Sequence, residues 1–206
     1  PKNSSSELIK PSLPKKIVAM LVFGRSGTCL MHSLIDGHPE VSTLPSIYFG
    51  EFFDNYTWDK IIAGGWEKIA DRFIKNYPVL FDASSDTIGR KEGMTNVGKE
   101  KDEVLLLDKS IFFKELKQLI DCYDRLDALN FFKLVHHTYE RVQKNLKKNL
   151  IFYHIHDPGA YARLNFLRLT PNTNWLMMVR EPIQNCESWV GKDFHDNNYT
   201  SVADKI

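Results

Sequence analysis

Residues 16–41, KIVAMLVFGRSGTCLMHSLIDGHPEV, constrain the fold more than any other part of the chain. Residues 17–23 are a short apolar run of the kind that forms a buried parallel strand. The run stops at Gly24, Arg25, Ser26, Gly27 and Thr28. Beyond it, Leu30, Met31, Leu34 and Ile35 recur at the spacing of one apolar helical stripe. Strand, tight loop and helix are therefore expected in succession. The backbone N–H groups of such a loop and of the first helical turn have no partners within the helix, so their natural occupant is a phosphate or sulfate.

Further apolar segments alternate with helical ones. EVSTLP reads as a short second strand, and residues 47–81 as aromatic-rich helices broken at Gly64 and Gly65. TIGRKEGMTNVGKEKDE reads as a surface loop, and residues 110–123 and 128–146 as helices. NLIFYHIHDPG is then a strand, AYARLNFLRLTP a helix, NTNWLMMVREP a third strong strand, and IQNCESWVGKDF a helix. Strands separated by helices imply an α/β fold in three layers, α/β/α, around a central parallel sheet, with ligands bound where the strands' carboxyl ends open. Residues 1–15 form a polar, proline-punctuated lead-in, and residues 16–206 one domain.

Composition limits what that domain can bind. The 206 residues are 43% hydrophobic and 26% charged, ordinary for one globular domain with a sizeable core. With 27 basic and 26 acidic residues, the net charge of +1 gives no global field for nucleic acid or a membrane surface, so an anion site must be made locally. Cys29, Cys122 and Cys186 are too widely spaced for a zinc site or a disulfide framework, and are expected as buried thiols. No run reaches the length of a membrane-spanning helix.

The loop differs from a nucleoside-triphosphate loop of the Walker type, whose last glycine is followed by a lysine that reaches the terminal phosphates. Here Gly27 is followed by Thr28 and Cys29, and Arg25 lies inside the loop. Its guanidinium is placed to offset negative charge growing on a transferring group. A second constellation lies far away in sequence: in MMVREPIQNCESW, Arg180 ends a strand and Ser188 follows eight residues later, about one and a half turns into the next helix. Such a pair can hold one more phosphate.

These two segments resemble the sulfotransferases that use 3'-phosphoadenosine 5'-phosphosulfate. GRSGTCLMHSLIDGHPEV is similar to their 5'-phosphosulfate loop and helix, especially in carbohydrate and tyrosylprotein sulfotransferases, and VREPIQNCESW to their 3'-phosphate segment. The resemblance implies a P-loop NTPase-like α/β sheet, with Gly24, Arg25, Ser26, Gly27, Thr28 and Cys29 on the 5'-phosphosulfate and Arg180 with Ser188 on the 3'-phosphate. It implies no metal. Transfer to a hydroxyl also needs a group that takes the acceptor's proton. Family members place a lysine or histidine after the strand that precedes the 3'-phosphate strand, where this chain has His156 in FYHIHDPG, with His154 on the same strand face. Others use a glutamate shortly after the first helix; here STLPS follows HPEV, and the next carboxylate is Glu51, among Tyr48, Phe49, Phe52 and Phe53, which would line an acceptor pocket or the core. Family domains continue beyond the 3'-phosphate segment with a strand and a basic loop that closes over the adenosine. Only GKDFHDNNYTSVADKI remains here, so either the chain is shortened or its donor site is incomplete.

Two rival functions stand beside this one. In a P-loop kinase or NTPase, EVLLLD ending at Asp108 would serve as a Walker B strand; a non-catalytic anion-binding module would need only the loop. The acceptor implied by the family is a carbohydrate, lipid or similar hydroxyl, with no nucleic acid partner. Asn3, Asn55 and Asn198 begin N-x-[ST] sequons, which suit a Golgi lumen reached through a removed anchor, whereas the lysine, asparagine and isoleucine richness favours a bacterial cytoplasm.

Overall fold

The computed structural model describes residues 10–21, 24–44, 48–84, 86–87, 90–91, 99–155 and 159–193. Four parallel strands form the main sheet in the order β2-β5-β1-β6: β1 (Lys16–Leu21), β2 (Val41–Ser42), β5 (Leu150–Ile155) and β6 (Asn174–Met177). The central strand β1 pairs along its length with β5 and over Val18–Leu21 with β6, so that Met20 lies between His154 and Leu176. Seven α-helices accompany the sheet among the described residues: α1 (Thr28–Ile35), α2 (Asn55–Ile62), α3 (Ile69–Asn76), α4 (Lys109–Ile120), α5 (Ala128–Val142), α6 (Ala160–Leu169) and α7 (Pro182–Asp193). The chain is therefore α/β with an all-parallel main sheet, as the alternation of apolar runs requires. Outside that sheet, β3 (Asp86–Thr87) and β4 (Arg90–Lys91) pair antiparallel at the start of the stretch expected to be loop.

Side chains alternate across the pleat of β1 and β5 and so feed two cores. On one face Ile17, Ala19, Ile151, Tyr153 and Ile155 meet α5, α6 and an aromatic cluster that includes Phe49, Phe52, Phe53, Phe131 and Phe132. Phe49 stacks on Phe132 at 5.4 Å between ring centroids, and the Tyr153 hydroxyl donates to the Phe49 carbonyl at 3.0 Å. Phe49, Phe52 and Phe53 are therefore core, each fixed by burial contributing about 1.5–3 kcal/mol. The side chain of Tyr48 lies outside the described residues. On the other face Met20, Phe152, Val18 and Leu176 pack under Met31 and Ile35 of α1.

Three expectations are corrected. The α1 stripe is half as wide as its sequence period suggested: Met31 and Ile35 pack, but Leu30 and Leu34 are 65% and 71% exposed, because α1 touches the sheet along one narrow line. β6 is a short edge strand with Trp175 and Met177 exposed, since among the described residues it pairs with β1 alone. None of the cysteines is buried: Cys29 is exposed and the other two are half-buried. No helix among the described residues is long and apolar enough to cross a membrane.

Candidate functional site: two cationic segments at one end of the sheet

The loop after β1 has the geometry its glycines allow. Gly27 is the N-cap of α1 with φ of 89°, and Arg25 also lies at positive φ, 63°. A non-glycine residue there costs about 1–2 kcal/mol, so Arg25 holds a conformation that local preference disfavours. Gly27 offers no side-chain acceptor to the first turn of α1, which contains no acidic residue. Elsewhere an aspartate does this work: Asp54, Asp108 and Asp127 accept from backbone N–H groups at the starts of α2, α4 and α5. Ser26 and Thr28 are buried, while Cys29 faces out.

The second segment arrives at the same place. Arg25 Nε donates to Ser188 Oγ at 3.0 Å, and an Arg180 guanidinium N–H donates to the Arg25 carbonyl at 3.3 Å. Tertiary structure thus brings the loop together with Arg180 and Ser188. Neither guanidinium has a carboxylate within ion-pair distance among the described residues. Glu181, the nearest acid in sequence to Arg180, instead accepts the Gln184 N–H at 2.7 Å in the first turn of α7. Two cations held close with no counterion among the described residues, beside uncapped backbone donors and the hydroxyls of Ser26, Thr28 and Ser188, make a patch whose natural ligand is an anion.

The two candidate bases fare differently. His156 lies outside the described residues. Glu51 is exposed on a 3-10 turn (Tyr48–Phe53) and, among the described residues, shares no hydrogen bond or ion pair with the loop. The Walker B alternative is not formed. Leu105 and Leu107 pair with Ala83 and Phe81 outside the parallel sheet, and Asp108 is spent on the Ser110 and Ile111 N–H groups.

Sequence reasoning noted His154 but missed the histidine cluster it joins under the loop's helix. His32 of α1 and His154 of β5 approach Nδ1 to Nδ1 at 3.0 Å, both buried. One ring nitrogen donates and the other accepts across this contact, according to tautomer. Burial lowers the His32 pKa against the opposing pull of Asp36 and of the Leu44 backbone. His136 of α5 is third: the Ser42 hydroxyl donates to Glu140 at 2.7 Å, so Ser42 accepts from His136 Nδ1–H at 2.9 Å. Burial, then Lys148, pushes the His136 pKa down to about 3. With Leu44, Phe49, Phe152 and Tyr153 the three rings line a small cavity with room for about one water. The signal available was a polar residue on the inward side of α1, which a search for apolar period passes over. Among the described residues no group of histidine, cysteine and carboxylate side chains is arranged to hold a metal ion.

Comparison of the chain with protein-family models, with curated proteins and with solved structures finds no match.

Proposed function

We propose that this chain is a sulfotransferase with a P-loop-like fold, moving the sulfuryl group of 3'-phosphoadenosine 5'-phosphosulfate to a hydroxyl of a carbohydrate or similar acceptor. One observation carries it: the Arg25 to Ser188 hydrogen bond unites a phosphate-type loop lacking the Walker lysine with a second cationic segment. A nucleoside triphosphate needs only the loop; a donor with anionic groups at both the 3' and 5' positions uses both segments.

In this function the acceptor oxygen attacks sulfur, the bond from sulfur to the 5'-phosphate oxygen breaks, and adenosine 3',5'-bisphosphate leaves with that electron pair. The acceptor's proton passes to His156, with Glu51 as the alternative base. The loop N–H groups with Ser26, Thr28 and Cys29 hold the 5'-phosphosulfate, and Arg180 and Ser188 the 3'-phosphate. Arg25 leaves Ser188 to stand beside the bridging oxygen, where its charge matters most in the transition state.

Thermal shift tests the assignment directly. Stabilisation by adenosine 3',5'-bisphosphate, with none from magnesium-ATP, is the expected result. Preference for magnesium-ATP would assign a kinase or NTPase, and stabilisation by inorganic sulfate alone a simple anion-binding module.

A further inference from the structure

Ser188 and Trp189 are neighbours on α7, and both face the loop. Ser188 accepts from Arg25, while the Trp189 ring lies against Gly24 so closely that a Cβ at position 24 would overlap Cζ2 and come within 3.0 Å of Cε2. Consecutive loop residues thus meet consecutive helix residues in reverse order: Gly24 on Trp189, Arg25 on Ser188. The two contacts differ in stiffness. Arg25 is a long, exposed side chain whose hydrogen bond can be exchanged for an anion, whereas an indole with two side-chain torsions, wedged on bare backbone, sets a fixed height.

We propose that Trp189 is a positioning residue that couples the two anion subsites, so that the site selects ligands carrying two anionic groups at one separation over any single anion. Resting on the function proposed above, the inference adds the residue that enforces its ligand class. Occupying the loop fixes Gly24; Gly24 fixes the indole; and the indole fixes the height of Ser188 over the loop. Two anions on one adenosine then bind as a connected pair, the second at an effective concentration set by that geometry. If α7 could drift, each anion would still bind singly and the gain from joining them would fall.

Calorimetric titration of the wild type, Trp189→Ala and Trp189→Phe with adenosine 3',5'-bisphosphate, adenosine 5'-monophosphate and adenosine 3'-monophosphate tests this. Trp189→Ala is expected to weaken the bisphosphate about tenfold or more while changing the 5'-monophosphate less than about threefold, and Trp189→Phe, which keeps a ring over Gly24, to restore most of the loss. Parallel losses for all three ligands would make Trp189 a structural residue only, overturning the coupling but leaving the proposed function. No binding of the bisphosphate to the wild type would overturn both. Should Trp189→Ala not fold, tryptophan emission decides: a change on adding bisphosphate to the wild type that vanishes in Trp189→Phe supports the coupling. A change that persists there, arising from Trp58, Trp66 or Trp175, overturns it, as does no change in the wild type.

Discussion

Arg25 Nε donates to Ser188 Oγ at 3.0 Å, across 163 positions of sequence. The bond ties a side chain of the loop subsite to one of the second segment. Ser188→Ala removes a hydroxyl from the 3'-phosphate and releases Arg25 at the same time. Affinity for adenosine 3',5'-bisphosphate should fall by about 1.5–3 kcal/mol, as should that of Arg180→Ala. Inorganic sulfate at the loop should bind Ser188→Ala as well as or better than the wild type. Calorimetry with both ligands reads the contrast, and equal losses for sulfate and bisphosphate would contradict separate subsites.

Arg25→Ala should lower turnover more than donor affinity, because charge builds on the bridging oxygen only in the transition state. Arg25→Lys should recover part of the rate, since a compact cation still stands in the loop. An effect confined to the donor's dissociation constant would remove Arg25 from the chemical step.

The proton acceptor is separable by pH. With His156 as base the neutral ring is the active form, so the rate at limiting acceptor should rise through a pKa near the ordinary histidine value of about 6.5, and His156→Ala should abolish that limb with a loss of roughly 10²- to 10⁴-fold. With Glu51 as base, Glu51→Gln should flatten the limb and His156→Ala leave it standing. A full profile in both variants excludes both residues.

His136 should make the fold sensitive to acid. Its folded pKa is depressed to about 3, so between the unfolded value of about 6.5 and that point the unfolded chain binds the extra proton. Its contribution is complete above about pH 6.5 and is lost as the pH falls, reaching about 2 kcal/mol by pH 5. His32, also lowered by burial, adds in the same direction; Glu140, raised by burial against Ser42 and Lys148, acts in the opposite one. Urea denaturation at pH 7.5 and pH 5 should show this loss in the wild type and a smaller one in His136→Leu. An equal slope in both would take His136 out of the acid response.

The sequence by itself determined most of the elements. Apolar runs of strand length, glycines at the turn and aspartates at helix starts are local signals, because backbone conformation and capping are settled within a few residues. Hence β1, the loop at Gly24 to Gly27 and α1 were legible, as were Arg180 and Ser188 as one local pair. Only tertiary structure decided which signals meet. The placement of β1 between β5 and β6 sets Arg25 against Ser188 and Gly24 against Trp189, contacts that no local spacing encodes. It also left Leu30 and Leu34 in solvent, where helical period alone would have buried them, and drew His32, His154 and His136 from α1, β5 and α5 into one cavity. Period reveals that a face is apolar; whether a partner covers that face depends on the order of the strands, and strand order is a property of the whole chain.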